Sequence, residues 1–296
     1  MHDAPQMPPA MDEGLALVRR LMVESLGDTV LARLQFDFSR FLGGGKLLRA
    51  RAALRLAPVS RVAPDAVVRS AAAVELVHGA SLLHDDVIDG ALTRRGAPAF
   101  WAQYGSHGAI LAGDILLGKA LSVLSLAREP DLIADLAQAV AEVCSAESEQ
   151  ELLLRGHPSD WATALRLARQ KTGPLFAFAA VTAGNGDPAL RAALKEAGYL
   201  AGTAYQLSDD VLDVVGDPIA AGKTLGTDVA REKGTSTSAR NGDTTDAIAG
   251  VDNLCADSLA QLDAWPAVRA AWNVYLDLDL RPAMARNVRS PATPVS

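Results

Sequence analysis

An all-α fold, one large helical bundle around a central cavity, is predicted by three observations. Prolines at 58, 64, 98, 130, 158, 174, 188, 218 and 266 leave long stretches rich in Ala and Leu between them. Proline ends or kinks a helix, so this spacing suits long helices. Apolar residues recur at helical period within the stretches, and alternating β-branched runs closed by Asn-Gly or Asp-Gly turns are scarce.

Residues 1–10, "MHDAPQMPPA", read as a flexible end. The stretch "GGGKLLR", 43–49, sets three glycines ahead of Lys46 and Arg49 and suits a turn before a helix. From 65 to 89, "DAVVRSAAAVELVHGASLLHDDVID" contains no proline and repeats apolar residues at Val67, Ala71, Val74, Val77 and Ala80, which predicts a helix. Asp85 and Asp89 then share a face four residues apart, with His78 two turns earlier on nearly the same stripe. A second such segment, 189–217, spaces Gln206, Asp210 and Asp213 by four and three. Residues 231–252 are small, polar and without period, so a mobile loop is expected there. Two terminal helices are expected over 253–264 and 267–280, and 286–296 reads as a second flexible end. The whole chain, 1–296, is expected to form a single domain.

Charge narrows the function classes. Formal net charge is −7, and the triads Asp85, Asp86, Asp89 and Asp209, Asp210, Asp213 carry six of those charges. A nearly neutral remainder argues against nucleic acid, whose phosphates demand a basic face. Cys144 and Cys255 are the two cysteines, far apart and without metal-ligand spacing, so neither a disulfide framework nor a zinc site is indicated. No signal peptide and no transmembrane segment are read from the hydropathy, and a cytoplasmic location is the expectation.

Three carboxylates at one helix end repel one another and oppose the negative end of the helix dipole. An acidic, solvated face accounts for one such triad; two DDxxD triads in one chain point to a shared task. Oxygen donors without Cys or His suit a hard cation such as magnesium, which takes one or two carboxylates and completes its shell with water and substrate phosphate. Lys46, Arg49, Arg94, Arg95, Lys171 and Lys223 supply cations for an anionic substrate.

In order and spacing, "GGGKLLR", "ELVHGASLLHDDVIDGALTRRG", "AILAGDILL", "QKTGPLF", "YQLSDDVLD" and "GKTLGTD" resemble the landmarks of the trans-prenyltransferases, or polyprenyl diphosphate synthases, of the isoprenoid synthase fold. The resemblance covers the chain to about residue 235. It implies that Asp85, Asp86, Asp89, Asp209, Asp210 and Asp213 bind Mg²⁺ and, through it, an allylic diphosphate. It implies that Arg94, Lys171, Lys223 and Lys233 contact that diphosphate, and that Lys46, Arg49, His78 and Arg95 form a metal-free site for isopentenyl diphosphate. Thr172 and Gln206 stand where the family has residues near the reacting carbons, and a homodimer is implied as well.

The implied reaction condenses isopentenyl diphosphate with an allylic diphosphate to an all-trans polyprenyl diphosphate. Helix geometry puts Ala80 and Ser81 about one turn, roughly 5 Å, deeper than Asp85. Neither side chain is bulky enough to plug a tunnel, so a product of twenty carbons or more is expected. Departures from the family are Ala50 where proline is usual, and "REKGTSTSARNGD" where a Thr-Leu-Pro and an apolar helix usually follow the lysine. The alternatives are a class I terpene cyclase, which would not need the Lys46, Arg49, His78 and Arg95 set, and a non-catalytic regulatory subunit, in which the first triad is typically lost.

Overall fold

In a computed structural model, residues 10–157, 160–184, 186–215 and 245–288 are described, apart from the side chains of 211–215, 245–248 and 286–288. Helix α1 spans Met11–Glu24, α2 Phe38–Gly43 and α3 Leu48–Leu56. The long α4 spans Pro64–Asp89, α5 Phe100–Ser125, α6 Pro130–Glu149, α7 Trp161–Val181 and α8 Pro188–Val215. After them come α9, Thr245–Ala260, α10, Pro266–Tyr275, and α11, Arg281–Val288. Among the described residues the only strands are Thr93–Arg94 and Ala97–Pro98, one short antiparallel hairpin.

Helix α4 forms where the alanine and valine run predicts it. Pro64 opens it, and proline suits a first turn whose N–H groups lack partners anyway. Gly90 closes it at φ 64°, a left-handed conformation that glycine adopts freely, while Ala91 N–H bonds back to the Asp86 carbonyl at 3.0 Å. Its middle is buried nearly all round: Ala66 to Val68 and Ser70 to Val77 are all inside. A helix apolar on every side belongs in a core, and α4 packs against α1, α3, α5 and α7.

A second layer pairs α7 with α8 and lays α9 on α8. Glycines set that spacing. A Cβ on Gly202 would stand 2.7 Å from the Gly173 Cα, and one on Gly173 would stand 2.6 Å from the Tyr199 ring. The two backbones therefore approach more closely than alanines allow. The Ser258 hydroxyl donates to the Ala197 carbonyl at 2.7 Å and accepts from the Trp272 indole at 2.9 Å, which ties α8, α9 and α10 together.

The expected loop over 231–252 is corrected in its second half. Residues 245–252 are helical, because Val251, Cys255, Ser258 and Leu262 place a buried stripe at helical spacing against α8. Residues 231–244 lie outside the described residues. Likewise 286–288, expected within a flexible end, continue α11. The two terminal helices expected after 253 are α9 and α10.

Among the described residues, α4 and α5 are long and apolar enough to cross a membrane by length and composition, which by itself shows no span. In α4, 78% of the apolar window is buried inside the bundle, whereas in α5 only 39% is. The outer side of α5 exposes Ile110, Leu111 and Leu121.

Candidate active site

The acidic end of α4 continues directly into the hairpin. Its turn is Arg95–Gly96, with φ of 52° and 69°, the two positive values that a tight two-residue hairpin needs. Arg94 Nε donates to Asp86 Oδ1 at 2.9 Å and Nη2 to the same oxygen, so the hairpin is clamped to the helix it follows. Asp86 is buried, and its Oδ2 has no hydrogen-bond partner among the described residues. Burial raises the Asp86 carboxyl above the usual range, and the Arg94 hydrogen bond opposes that rise. Asp85 and Asp89 are partly exposed on the same turn.

The left-handed turn sends Arg95 back over the glycine loop. Its guanidinium donates to the Phe41 carbonyl, and a Cβ on Gly45 would collide with Nη2. Arg40 Nη2 in turn donates to the Arg95 carbonyl at 3.1 Å. The loop ends at Leu47, itself left-handed at φ 49°, and α3 begins. Lys46 Nζ donates to the Ala283 carbonyl at 3.1 Å and lies 5.5 Å from the Tyr205 ring. The Arg49 guanidinium is buried 4.9 Å from the Phe176 ring centre.

Arg49, Arg94, Arg95 and His78 thus lie within electrostatic reach of one another. Burial, and then Arg49, Arg95 and Arg94, hold the His78 imidazole well below the ordinary histidine value. It is neutral at pH 7, and its protonated form would add a fourth cation to a group of three, of which Arg49 is buried. Burial and Arg94 lower Arg95 in the same sense, with Glu75 and Tyr205 pulling the other way. The described chain therefore brings Lys46, Arg49, His78 and Arg95 to one place.

A separate relay crosses from α7 to α8. Thr172 Oγ1 donates to Gln206 Oε1 at 2.6 Å, and Gln206 Nε2 donates to Asp210 Oδ1 at 2.9 Å. Its neighbour Lys171 donates to Gln150 Oε1 at 2.7 Å and pairs with Glu147 at 2.9 Å. Asp210 is buried and Asp209 partly exposed. The Asp213 side chain, Lys223 and Lys233 lie outside the described residues. Ala80 is buried in the core, and Ser81 is partly exposed with its hydroxyl bonded to the His78 carbonyl.

The motif reading missed several residues around the basic group. Glu75 is buried beside Arg49, and Tyr275 and Asp279 arrive from the far end of the chain. Asp279 accepts from Arg51 at 2.9 Å and from Arg55 at 2.8 Å, which fixes the outer side of α3. Glu75 alone left a signal, being the one acid within the apolar run "AAAVELV".

Among the described residues no three His, Cys, Asp or Glu side chains converge closely enough to chelate an ion unaided. Asp85 and Asp89, partly exposed and on one face, fit a hard cation that takes two carboxylates and draws its remaining ligands from water and phosphate.

Comparison with known proteins bears on this geometry. The profile of the family described as polyprenyl synthetase matches residues 36–247. The chain belongs to that family.

Polyprenyl synthetase relatives include the octaprenyl diphosphate synthase of Haemophilus influenzae, 32% identical over 228 residues that cover 76% of this chain and 69% of that protein. The geranylgeranyl diphosphate synthase of Mycobacterium tuberculosis is 40% identical over 176 residues, covering 55% of this chain and 49% of the relative. The chain therefore spans about half the length of that second relative. In three dimensions it is similar to a polyprenyl synthase from Caulobacter crescentus complexed with calcium and isoprenyl diphosphate. There the TM-score is 0.67 at 27% identity, over 94% of this chain and 93% of the other. The architecture is the isoprenoid synthase fold.

Proposed function

We propose that this member of the polyprenyl synthetase family is a chain-elongating trans-prenyltransferase. It joins isopentenyl diphosphate to an allylic diphosphate, dimethylallyl, geranyl or farnesyl, and releases diphosphate. The observation that carries this reading is the basic group of Lys46, Arg49, His78 and Arg95, gathered beside the acidic end of α4 yet distinct from it. One anion site served by carboxylates and a second served by Lys46, Arg49, Arg95 and a neutral imidazole suit a reaction between two diphosphates. A terpene cyclase ionises one diphosphate and has no use for the second site. The presence of both triads likewise disfavours a regulatory subunit.

Asp85, Asp86, Asp89, Asp209, Asp210 and Asp213 are the residues proposed to hold divalent metal, magnesium by the chemistry of an all-oxygen donor set. When bound, the metal supplies Lewis-acid stabilisation of the departing diphosphate. The chain's own groups do the rest. Arg94, Lys171, Lys223 and Lys233 neutralise the allylic diphosphate as the C–O bond breaks. Lys171 leaves its Glu147 and Gln150 partners to do so. Lys46, Arg49, Arg95 and neutral His78 orient the other diphosphate, so that the isopentenyl double bond faces the allylic cation. Thr172 and Gln206, held by the relay to Asp210, line the place where the carbon bond forms. The new tertiary cation then loses a proton, which the released diphosphate accepts, and an allylic product one isoprene unit longer results.

Small side chains at Ala80 and Ser81 support a product of twenty carbons or more, and the apolar outer face of α5 supports a homodimer. Incubation of the purified chain with isopentenyl diphosphate, primers of increasing length and Mg²⁺, followed by mass analysis, tests the reading. Linear polyprenyl diphosphates are expected. Cyclised hydrocarbon from the allylic diphosphate alone would favour the cyclase, and absence of turnover without a second subunit would favour the regulatory protein.

A further inference from the structure

Glu75 stands in the most apolar part of α4, between Val74 and Leu76, and only 4% of it is exposed. An ionised carboxylate in such surroundings is costly unless hydrogen bonds or cations compensate it. Its partners come from α3. The first N–H groups of that helix have no acceptor within the helix itself. The residue at the capping position is Leu47, left-handed and with a side chain that cannot accept a hydrogen bond. Glu75 Oε1 accepts from Ala50 N–H at 3.0 Å, and its carboxylate is also hydrogen-bonded by Arg49 N–H. The cap that α3 lacks in its own sequence is thus supplied across the core from α4, where the positive end of the helix dipole favours a negative group.

The capped turn is the one that carries Lys46 and Arg49. Because Glu75 directs its hydrogen bonds to the backbone, the Arg49 guanidinium remains over Phe176, with Nε buried and without a hydrogen-bond partner among the described residues. On the reading that Lys46, Arg49, His78 and Arg95 receive the diphosphate of isopentenyl diphosphate, we propose that Glu75 is a positioning residue for that subsite. It fixes the first turn of α3 and so the direction in which Arg49 presents its donors.

Charge alone predicts the opposite sign. A carboxylate near a diphosphate repels it, so its neutralisation would tighten binding if Glu75 served only as a counter-charge. Positioning predicts that neutralisation weakens binding. The test measures binding of isopentenyl diphosphate to the purified full chain by calorimetry, and the KM of each substrate, for wild type, Glu75→Gln and Glu75→Asp. The aspartate variant keeps the charge and shortens the reach of the carboxylate to the first turn of α3, so a counter-charge alone predicts no change in it.

Glu75→Gln is expected to weaken isopentenyl diphosphate binding at least five-fold while the allylic KM stays within two-fold, and Glu75→Asp at least two-fold. Unchanged or tighter binding in Glu75→Gln, or an equal rise in both KM values, would overturn the proposal. Should Glu75→Gln melt below the assay temperature, Glu75→Asp decides, and unchanged affinity there overturns it. A wild-type chain that does not bind isopentenyl diphosphate would overturn the subsite assignment instead.

Discussion

Residues in this chain acquire their properties from one or two close neighbours, and His78 is the clearest instance. Its imidazole is held well below the ordinary value by burial and by three arginines. The native protein therefore keeps it neutral, while the unfolded chain protonates it below about pH 6.5. Folded pKa below unfolded pKa means that stability falls as pH drops from 7 toward 5, by at most about 1.4 kcal/mol per pH unit. Thermal melts across that range should show a steeper loss in wild type than in His78→Gln. Ala80 and Ser81 differ in a similar way. A phenylalanine at the buried Ala80 would overpack the core, whereas Ser81 is partly exposed and has room. Ser81→Phe is thus the cleaner variant, and mass spectra of its products should show chains shorter than those of wild type. Asp85 and Asp89 were legible as candidates from spacing, and Lys46 and Arg95 only through the family resemblance. Asp279 was not, and although Glu75 stood out as the one acid in an apolar run, a single acid says nothing of which cation or backbone it will meet.

Elements are placed by what they lack as much as by what they carry. Helices α7 and α8 approach through Gly173, Gly198 and Gly202, and that approach lets Thr172 reach Gln206 at 2.6 Å. A methyl on Gly202 would meet the Gly173 backbone, which cannot rotate away as a side chain could. Gly202→Ala should therefore destabilise the protein by about 2 kcal/mol or more, measurable as a lower urea midpoint, and should reduce kcat by breaking the relay. The periodic segments at 65–89 and, as far as 215, 189–217 read correctly as helices, since their apolar residues repeat over seven turns or so, and 216–217 lie outside the described residues. The first half of α9 did not read so, because Thr245, Asp246, Gly250 and Asp252 interrupt the apolar pattern along the sequence.

For the molecule as a whole, the outer side of α5 is the feature that a single chain does not account for. Leu111 is 62% exposed, with Ile110 and Leu121 exposed beside it on the same helix. Exposed apolar faces of this kind are commonly covered by another chain. If a second copy covers this one, Leu111→Asp should shift the sedimenting species from dimer to monomer at micromolar concentration, and an unshifted dimer would place the interface elsewhere. The far end of the chain matters as well. Asp279 and the Ala283 carbonyl hold Arg51, Arg55 and Lys46, so the last helices brace the glycine loop from outside.

By itself the sequence determined the helical class and the two long helices that bear the acids. Those depend on period and spacing along the chain, which local backbone geometry turns directly into faces and turns. Only the tertiary structure decided that Glu75 would cap a helix other than its own, that Asp279 would grip α3 from more than two hundred residues away, and that Arg94 would close on Asp86. Such pairings are chosen by which elements pack together. Burial makes an unpaired charge costly, and the fold resolves each one by bringing a partner that no local pattern names.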